Sequence, residues 1–131
     1  MPRFVILLHQ PGPRNRAGRH WDFMLEAGDV LRTWALAEPL NSDCPLEAEA
    51  LPDHRLAYLT YEGPLSDDRG RVARQDEGTA EVVEEADGLL VLQLNGRELR
   101  GRLTLRRMDG PGEPQRWRLE LSSDRSRTTA G

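Results

Sequence analysis

The chain has 131 residues, a net charge of -4, a pI near 5.4 and a mean hydropathy of -0.65, and all 18 of its basic residues are arginine. Without lysine it can perform no chemistry that needs a lysine amine, which excludes Schiff-base formation, a P-loop phosphate lysine and the lysyl-nucleotide intermediate of ligases. No run approaches the roughly 18 apolar residues of a membrane span, Met1–Gln10 lacks the pattern of a signal peptide, and Cys44, the single cysteine, forms no internal disulfide, so a cytoplasmic setting is expected.

Short segments alternating apolar and polar residues, separated by Gly, Pro, Asn or Asp, predict strands nearly throughout. Phe4 to His9 is an unbroken apolar run and fits a strand buried on both faces. His20 to Glu26 alternates His20, Asp22 and Met24 against Trp21, Phe23 and Leu25, and the Ala27-Gly28-Asp29 turn leads into Val30 to Ala37. Pro45 to Leu51 reads as the one helix, with Pro45 at its first position, Ser42 or Asp43 as cap and Pro52 as its limit. Arg55 to Tyr61 is a further strand, ended by Gly63-Pro64. Thr79 to Glu85 and Leu89 to Leu94 form a hairpin around Asp87-Gly88, and Asn95-Gly96 is read as a two-residue turn into Glu98 to Met108. There Leu99, Leu103 and Leu105 share one face and Arg100, Arg102 and Arg106 the other. After a loop from Asp109 to Pro114, Arg116 to Ser122 turns Trp117, Leu119 and Leu121 inward. About eight or nine strands at this spacing predict a mainly β fold, a small closed or partly closed antiparallel β-barrel with one short helix. It is expected to form one domain over residues 1–123, followed by a flexible polar tail over residues 124–131.

Three histidines invite attention. On a strand, positions i and i+2 project from one face, so His20 and Asp22 present an imidazole nitrogen and a carboxylate side by side. Such a pair is either a surface ion pair or two ligands of Mn²⁺, Zn²⁺ or Fe²⁺, and His9, at the end of the first strand, is the obvious third donor. His54 and Tyr58 lie four apart, about 13 Å along an ideal strand. They can touch one extended ligand there, but they cannot meet each other without a bulge or bend; alternatively Tyr58 is a core aromatic. The arginines gather at Arg14, Arg16 and Arg19, at Arg69, Arg71 and Arg74, and from Arg97 to Arg107. A guanidinium binds phosphate bidentately. The acidic balance argues against a non-specific nucleic-acid coat but not against a local phosphate site.

Phe4-Val5-Ile6 leading to His9, then His20-Trp21-Asp22-Phe23, Leu25-Glu26, Thr33-Trp34-Ala35, Asp53-His54, Tyr58 and Tyr61-Glu62-Gly63 resemble the 3′-phosphoesterase domain of bacterial DNA ligase D. The resemblance continues through Asp76, Gly78-Thr79, Leu94-Asn95-Gly96 and Leu99-Arg100-Gly101, and so spans most of the chain. It implies a stand-alone, Mn²⁺-dependent hydrolase of non-homologous end joining that removes a 3′-phosphate or 3′-ribonucleotide from DNA or RNA ends, with Zn²⁺ or Co²⁺ as alternative metals. Carried over residue by residue, it makes His9, His20 and Asp22 the metal ligands and His54 and Tyr58 the catalytic pair. Its partners would be nucleic-acid 3′ ends and a separate ligase or polymerase of end joining, and the protein would be a monomer with no membrane association.

The resemblance departs at Met24, where the family carries an arginine that clamps phosphate, and at Glu38, where it carries a lysine. Arg19, Arg69 and Arg71 are the candidates to replace those contacts. The departures leave a second expectation, a catalytically weak or inactive metal-binding barrel that holds nucleic-acid ends or a repair partner. A cupin-like enzyme ranks last, because closely spaced paired histidines are absent.

Overall fold

A computed structural model describes residues 1–12, 18–42, 44–65, 69–108 and 115–123. The arginines Arg14 and Arg16, the cap candidate Asp43, the whole Asp109–Pro114 loop and the tail over residues 124–131 lie outside the described residues. Alternating side chains produce strands β1 (Arg3–Gln10), β2 (His20–Ala27) and β3 (Val30–Leu36), the last two joined by a tight turn in which Gly28 takes a positive φ of 65°. Strand β4 (Leu46–Arg55) runs into a single 3-10 turn, Leu56–Leu59, and a two-residue strand β5 (Gly63–Pro64) follows. The long β6 (Arg71–Ala86) pairs with β7 (Leu89–Gly96), and β8 (Arg100–Arg107) and β9 (Arg116–Ser123) complete the set.

Every pairing is antiparallel, in the order β1-β2-β3-β4-β9-β8-β7-β6-β5. An additional β1–β6 pairing joins the two ends, so that eight strands form a closed ring and β5 hangs on β6. The ring is the mainly β, closed arrangement expected from the sequence. Its interior packs Phe4, Ile6, Phe23, Trp34, Leu92, Leu103, Trp117 and their neighbours from all eight strands.

A second, smaller cluster lies on the outer face of β1 and β2. Val5, Leu7, Met24, Leu31, Leu59 and Val72 form it, with Leu56, Tyr58 and Leu65 packed against it. The 3-10 turn and the segment around β5 thus cover this outer face, and β1 is buried on both faces, as its apolar run predicts.

Three local expectations are corrected. Pro45 to Leu51 is no helix: Leu46 and Ala48 bury inside the ring while Glu47 and Glu49 point to solvent, and pairing with β3 and β9 overrides the helix preference of Ala and Glu. Strand β4 bulges where Leu31 and Thr33 face His54 and Leu51, so Pro52, which has no N–H to donate, sits where the ladder skips. Arg55 to Tyr61 is not a strand either, because the chain bends at Arg55 into the 3-10 turn. Finally, Asn95 and Gly96 are not a two-residue turn. Asn95 stays paired with Arg100, and the connection from Gly96 to Leu99 is held by the buried carboxylate of Asp76, which accepts from the backbone N–H groups of Glu77, Arg97, Glu98 and Leu99 at 2.9 to 3.0 Å.

Candidate metal centre

Antiparallel pairing of β1 with β2 sets His9 opposite His20 and Leu7 opposite Asp22. Cross-strand partners share a face, so all three polar side chains emerge beside the outer cluster at one end of the two strands. One donor atom from each of His9, His20 and Asp22 lies within 4.8 Å of the others. His9 Nδ1 is 3.2 Å from His20 Nε2, and His20 Nε2 is 3.2 Å from Asp22 Oδ1.

Backbone carbonyls fix which nitrogens carry protons. His9 Nε2–H donates to the carbonyl of Arg69 at 3.1 Å, and His20 Nδ1–H donates to the carbonyl of Gly18 at 3.3 Å. These bonds assign the tautomers and leave the lone pairs of His9 Nδ1 and His20 Nε2 aimed at each other and at Asp22. Asp22 is 4% exposed, and its Oδ1 has no partner other than the His20 ring, whose Nε2 lies 3.2 Å away. Two lone pairs and a buried carboxylate oxygen crowded together are unfavourable unless a proton or a cation sits among them. A hydrogen bond from the protonated ring to Asp22 raises the His20 pKa above 6.5; burial opposes the shift, and the Asp22 charge and the Gly18 carbonyl reinforce it. Two nitrogens and a carboxylate oxygen with outer carbonyl supports are a donor set that fits a divalent transition metal.

The Arg69 carbonyl is itself held in place. Gly70 has a φ of 108°, and a Cβ there would lie 1.9 Å from the carbonyl oxygen of Gln10 and 2.8 Å from the nitrogen of Gly12. Only glycine lets the chain pass this close to the end of β1. Composition and spacing do not reveal such backbone contributions; a glycine directly after Arg69 was the one available signal.

His54 and Tyr58 meet, with ring centroids 5.6 Å apart in an edge-on arrangement, because the bend at Arg55 folds the two positions together. His54 Nδ1–H donates to the Pro52 carbonyl at 2.9 Å, and Tyr58 stands edge-on to Tyr61, whose hydroxyl donates to the Pro64 carbonyl. The pair is not among the grouped ligand atoms. His54 faces Leu31, and Leu31 faces Glu26, which puts it at the level of Glu26, beyond Asp22 and Met24 on β2.

The arginines separate. Arg19 precedes His20 and lays its guanidinium over the Trp21 ring at 5.3 Å. Arg69 gives its carbonyl to His9, while its side chain lines a small pocket with Arg55, Tyr58 and Tyr61. Arg71 neighbours Val72, which belongs to the outer cluster opposite His9, so it points to the other face, away from the triad. Arg74 is engaged by Glu62 and Glu77 at 3.1 and 2.8 Å. Met24, 1% exposed, is a packed member of the outer cluster, and Glu38 is exposed beyond the end of β3.

Comparison with known proteins identifies the family. Among curated proteins, the multifunctional non-homologous end joining DNA repair protein LigD of Mycobacterium tuberculosis is 32% identical over 100 residues, 70% of this chain. The multifunctional non-homologous end joining protein LigD of Mycobacterium bovis matches to the same extent. The chain spans only 13% of the length of either relative. The family described as the DNA Ligase D 3′-phosphoesterase domain matches residues 13–107, a stretch that holds His20, Asp22, His54 and Tyr58 and starts just after His9. The chain belongs to the DNA ligase D 3′-phosphoesterase domain family.

Proposed function

We propose that the protein is a metal-dependent phosphoesterase that trims 3′ ends of DNA or RNA, removing a 3′-phosphate or a 3′-ribonucleotide during the repair of breaks, with Mn²⁺ as its metal. The observation that carries this reading is the convergence of His9 Nδ1, His20 Nε2 and the unpartnered Asp22 Oδ1 in a chain of this family. His9, His20 and Asp22 would hold the cation. When bound, it supplies Lewis-acid polarisation of a phosphate oxygen and an activated water.

The chain's own groups do the rest. The Arg69 and Gly18 carbonyls keep both imidazoles turned with a lone pair inward. Tyr58 holds the His54 ring edge-on, and with Nδ1 donating to Pro52 the His54 Nε2 lone pair is left to accept a proton from the substrate or from water. Arg19, whose guanidinium lies over the Trp21 ring, borders a groove beside His20 and would offer a cation to the substrate there.

A second reading, a barrel that binds ends with the metal but hydrolyses them weakly or not at all, is favoured by Met24. The family's clamping guanidinium is replaced there by a side chain sealed into the outer cluster. The two readings are told apart by incubating the protein with Mn²⁺ and a 3′-phosphorylated oligonucleotide. Phosphate release that stops on chelation supports the esterase; tight binding of the strand without release under any divalent metal leaves the binding barrel.

A further inference from the structure

One cross-strand row links the triad to the far side of the ring. Asp22 pairs with Ala35, Ala35 with Glu49, and Glu49 with Arg116, so β2, β3, β4 and β9 each place one of these side chains on the outer face. Three strand spacings of about 4.8 Å separate Asp22 from Arg116, or about 14 Å. Along this row runs a groove of about 540 Å³ whose near end is bordered by Arg19 and His20 and whose far end is bordered by Arg116. Ala35 and Ala37 keep its floor low, and Glu47 and Glu49 on β4 stand between these alanines and β9. Arg116 is exposed and forms no ion pair among the described residues, although Glu49 is its register partner.

We infer that this groove holds the strand leading to the reacting 3′ end, with Arg116 gripping an internal phosphate. The inference rests on the phosphoesterase reading and adds to it the path of the substrate. The charges are ordered for one occupant. A cation-binding triad and Arg19 stand at one end and a guanidinium at the other, where two phosphates of one strand would lie. Between them the alanines give a sugar and base room to lie flat, and Glu47 and Glu49 accept from sugar hydroxyls or base amino groups while repelling phosphate from the middle. Arg116 thereby supplies, one nucleotide or more away, anchoring that Met24 cannot give at the reacting phosphate.

The test is the binding of a fluorescein-labelled single-stranded oligodeoxynucleotide with a 3′-hydroxyl, a product strand that undergoes no reaction, to the Mn²⁺-loaded protein by fluorescence anisotropy. Arg116→Ala is expected to weaken binding about tenfold or more and to lower the slope of affinity against salt by about one phosphate contact. Arg116→Lys, keeping the charge, should retain the salt slope. Arg102→Ala, an equal charge change on the exposed face of β8, should bind like the wild type. Equal binding by wild type and Arg116→Ala, or equal weakening by Arg102→Ala, overturns the groove. Binding that depends on Arg116, with no phosphate released from a 3′-phosphorylated oligonucleotide in a parallel assay, overturns the esterase reading alone; phosphate release with binding indifferent to Arg116 overturns the groove alone.

Discussion

His9 Nδ1 and His20 Nε2 face each other across 3.2 Å with their protons turned outward to the carbonyls of Arg69 and Gly18. Adding Asp22 Oδ1 at 3.2 Å from His20 makes an arrangement that is poor without a cation and good with one. Mn²⁺ should therefore raise the melting temperature: a ligand present at 100 times its dissociation constant adds about 2.7 kcal/mol of stability. Replacing His9, His20 or Asp22 with Ala should abolish the rise, a loss larger than the roughly 100-fold drop in affinity that follows removal of an outer partner. Thermal melts with and without metal check this.

Asp22→Asn separates stability from function. Above the raised pKa of His20, where its ring is neutral, the amide can donate to the inward lone pairs that the carboxylate repels. The metal-free variant should be at least as stable as the wild type, yet gain nothing from Mn²⁺. Lower stability of the metal-free variant would show that the carboxylate is not strained in the unliganded protein.

The raised His20 pKa has a sign that can be followed. In the metal-free protein, its protonated form contributes stability that is fully present below the unfolded value of 6.5 and is lost as pH rises through the higher folded value. Metal requires the neutral ring, so the proton competes with it at a higher pH than for an ordinary histidine. The Mn²⁺-induced rise in melting temperature should grow steadily as pH rises from the unfolded value of 6.5 through the higher folded value. A rise that is flat over that range would mean that His20 is not a ligand.

Gly70→Ala should both destabilise the fold, by at least about 1–3 kcal/mol from the positive φ alone, and weaken metal binding by pushing the Arg69 carbonyl off His9. A Cβ on Gly18 would meet nothing within 4 Å, so Gly18→Ala keeps the carbonyl that orients His20 and should leave affinity unchanged. Metal titration of the two variants against the wild type decides the matter.

Met24 acts through packing. Met24→Leu should change stability by less than about 1.5 kcal/mol and leave turnover intact. Met24→Arg forces a guanidinium among Val5, Leu7, Leu31 and Leu59 and should cost about 3–5 kcal/mol, read from denaturant unfolding. A stable Met24→Arg with faster turnover would instead show that the outer cluster opens to let the family's clamp form.

Much of this was legible in the sequence because it depends on period two. The i, i+2 placement of His20 and Asp22, the doubly buried β1 and the inward Trp117, Leu119 and Leu121 all follow from strand alternation. The misread segments are those decided by distant partners. Alternation of Leu46 and Ala48 against Glu47 and Glu49 was present, but Pro45 and the Ala-Glu composition favoured a helix until β3 and β9 supplied pairing. Asp76 shapes the connection from Gly96 to Leu99 from some twenty positions away, and no local turn rule contains it. In the site, the donors were visible and the carbonyls that orient them were not, since any residue can offer a carbonyl. The meeting of His54 and Tyr58 needed a bend that the alternation of Leu56 and Tyr58 concealed.

Everything proposed for the site depends on a cation between His9, His20 and Asp22. Anomalous diffraction at the manganese edge, from crystals grown with Mn²⁺, probes that position without an intermediary. A single strong peak is expected about 2.0–2.3 Å from His9 Nδ1, His20 Nε2 and Asp22 Oδ1. A peak elsewhere on the protein, with the two imidazoles still closed on each other and on Asp22, would contradict it.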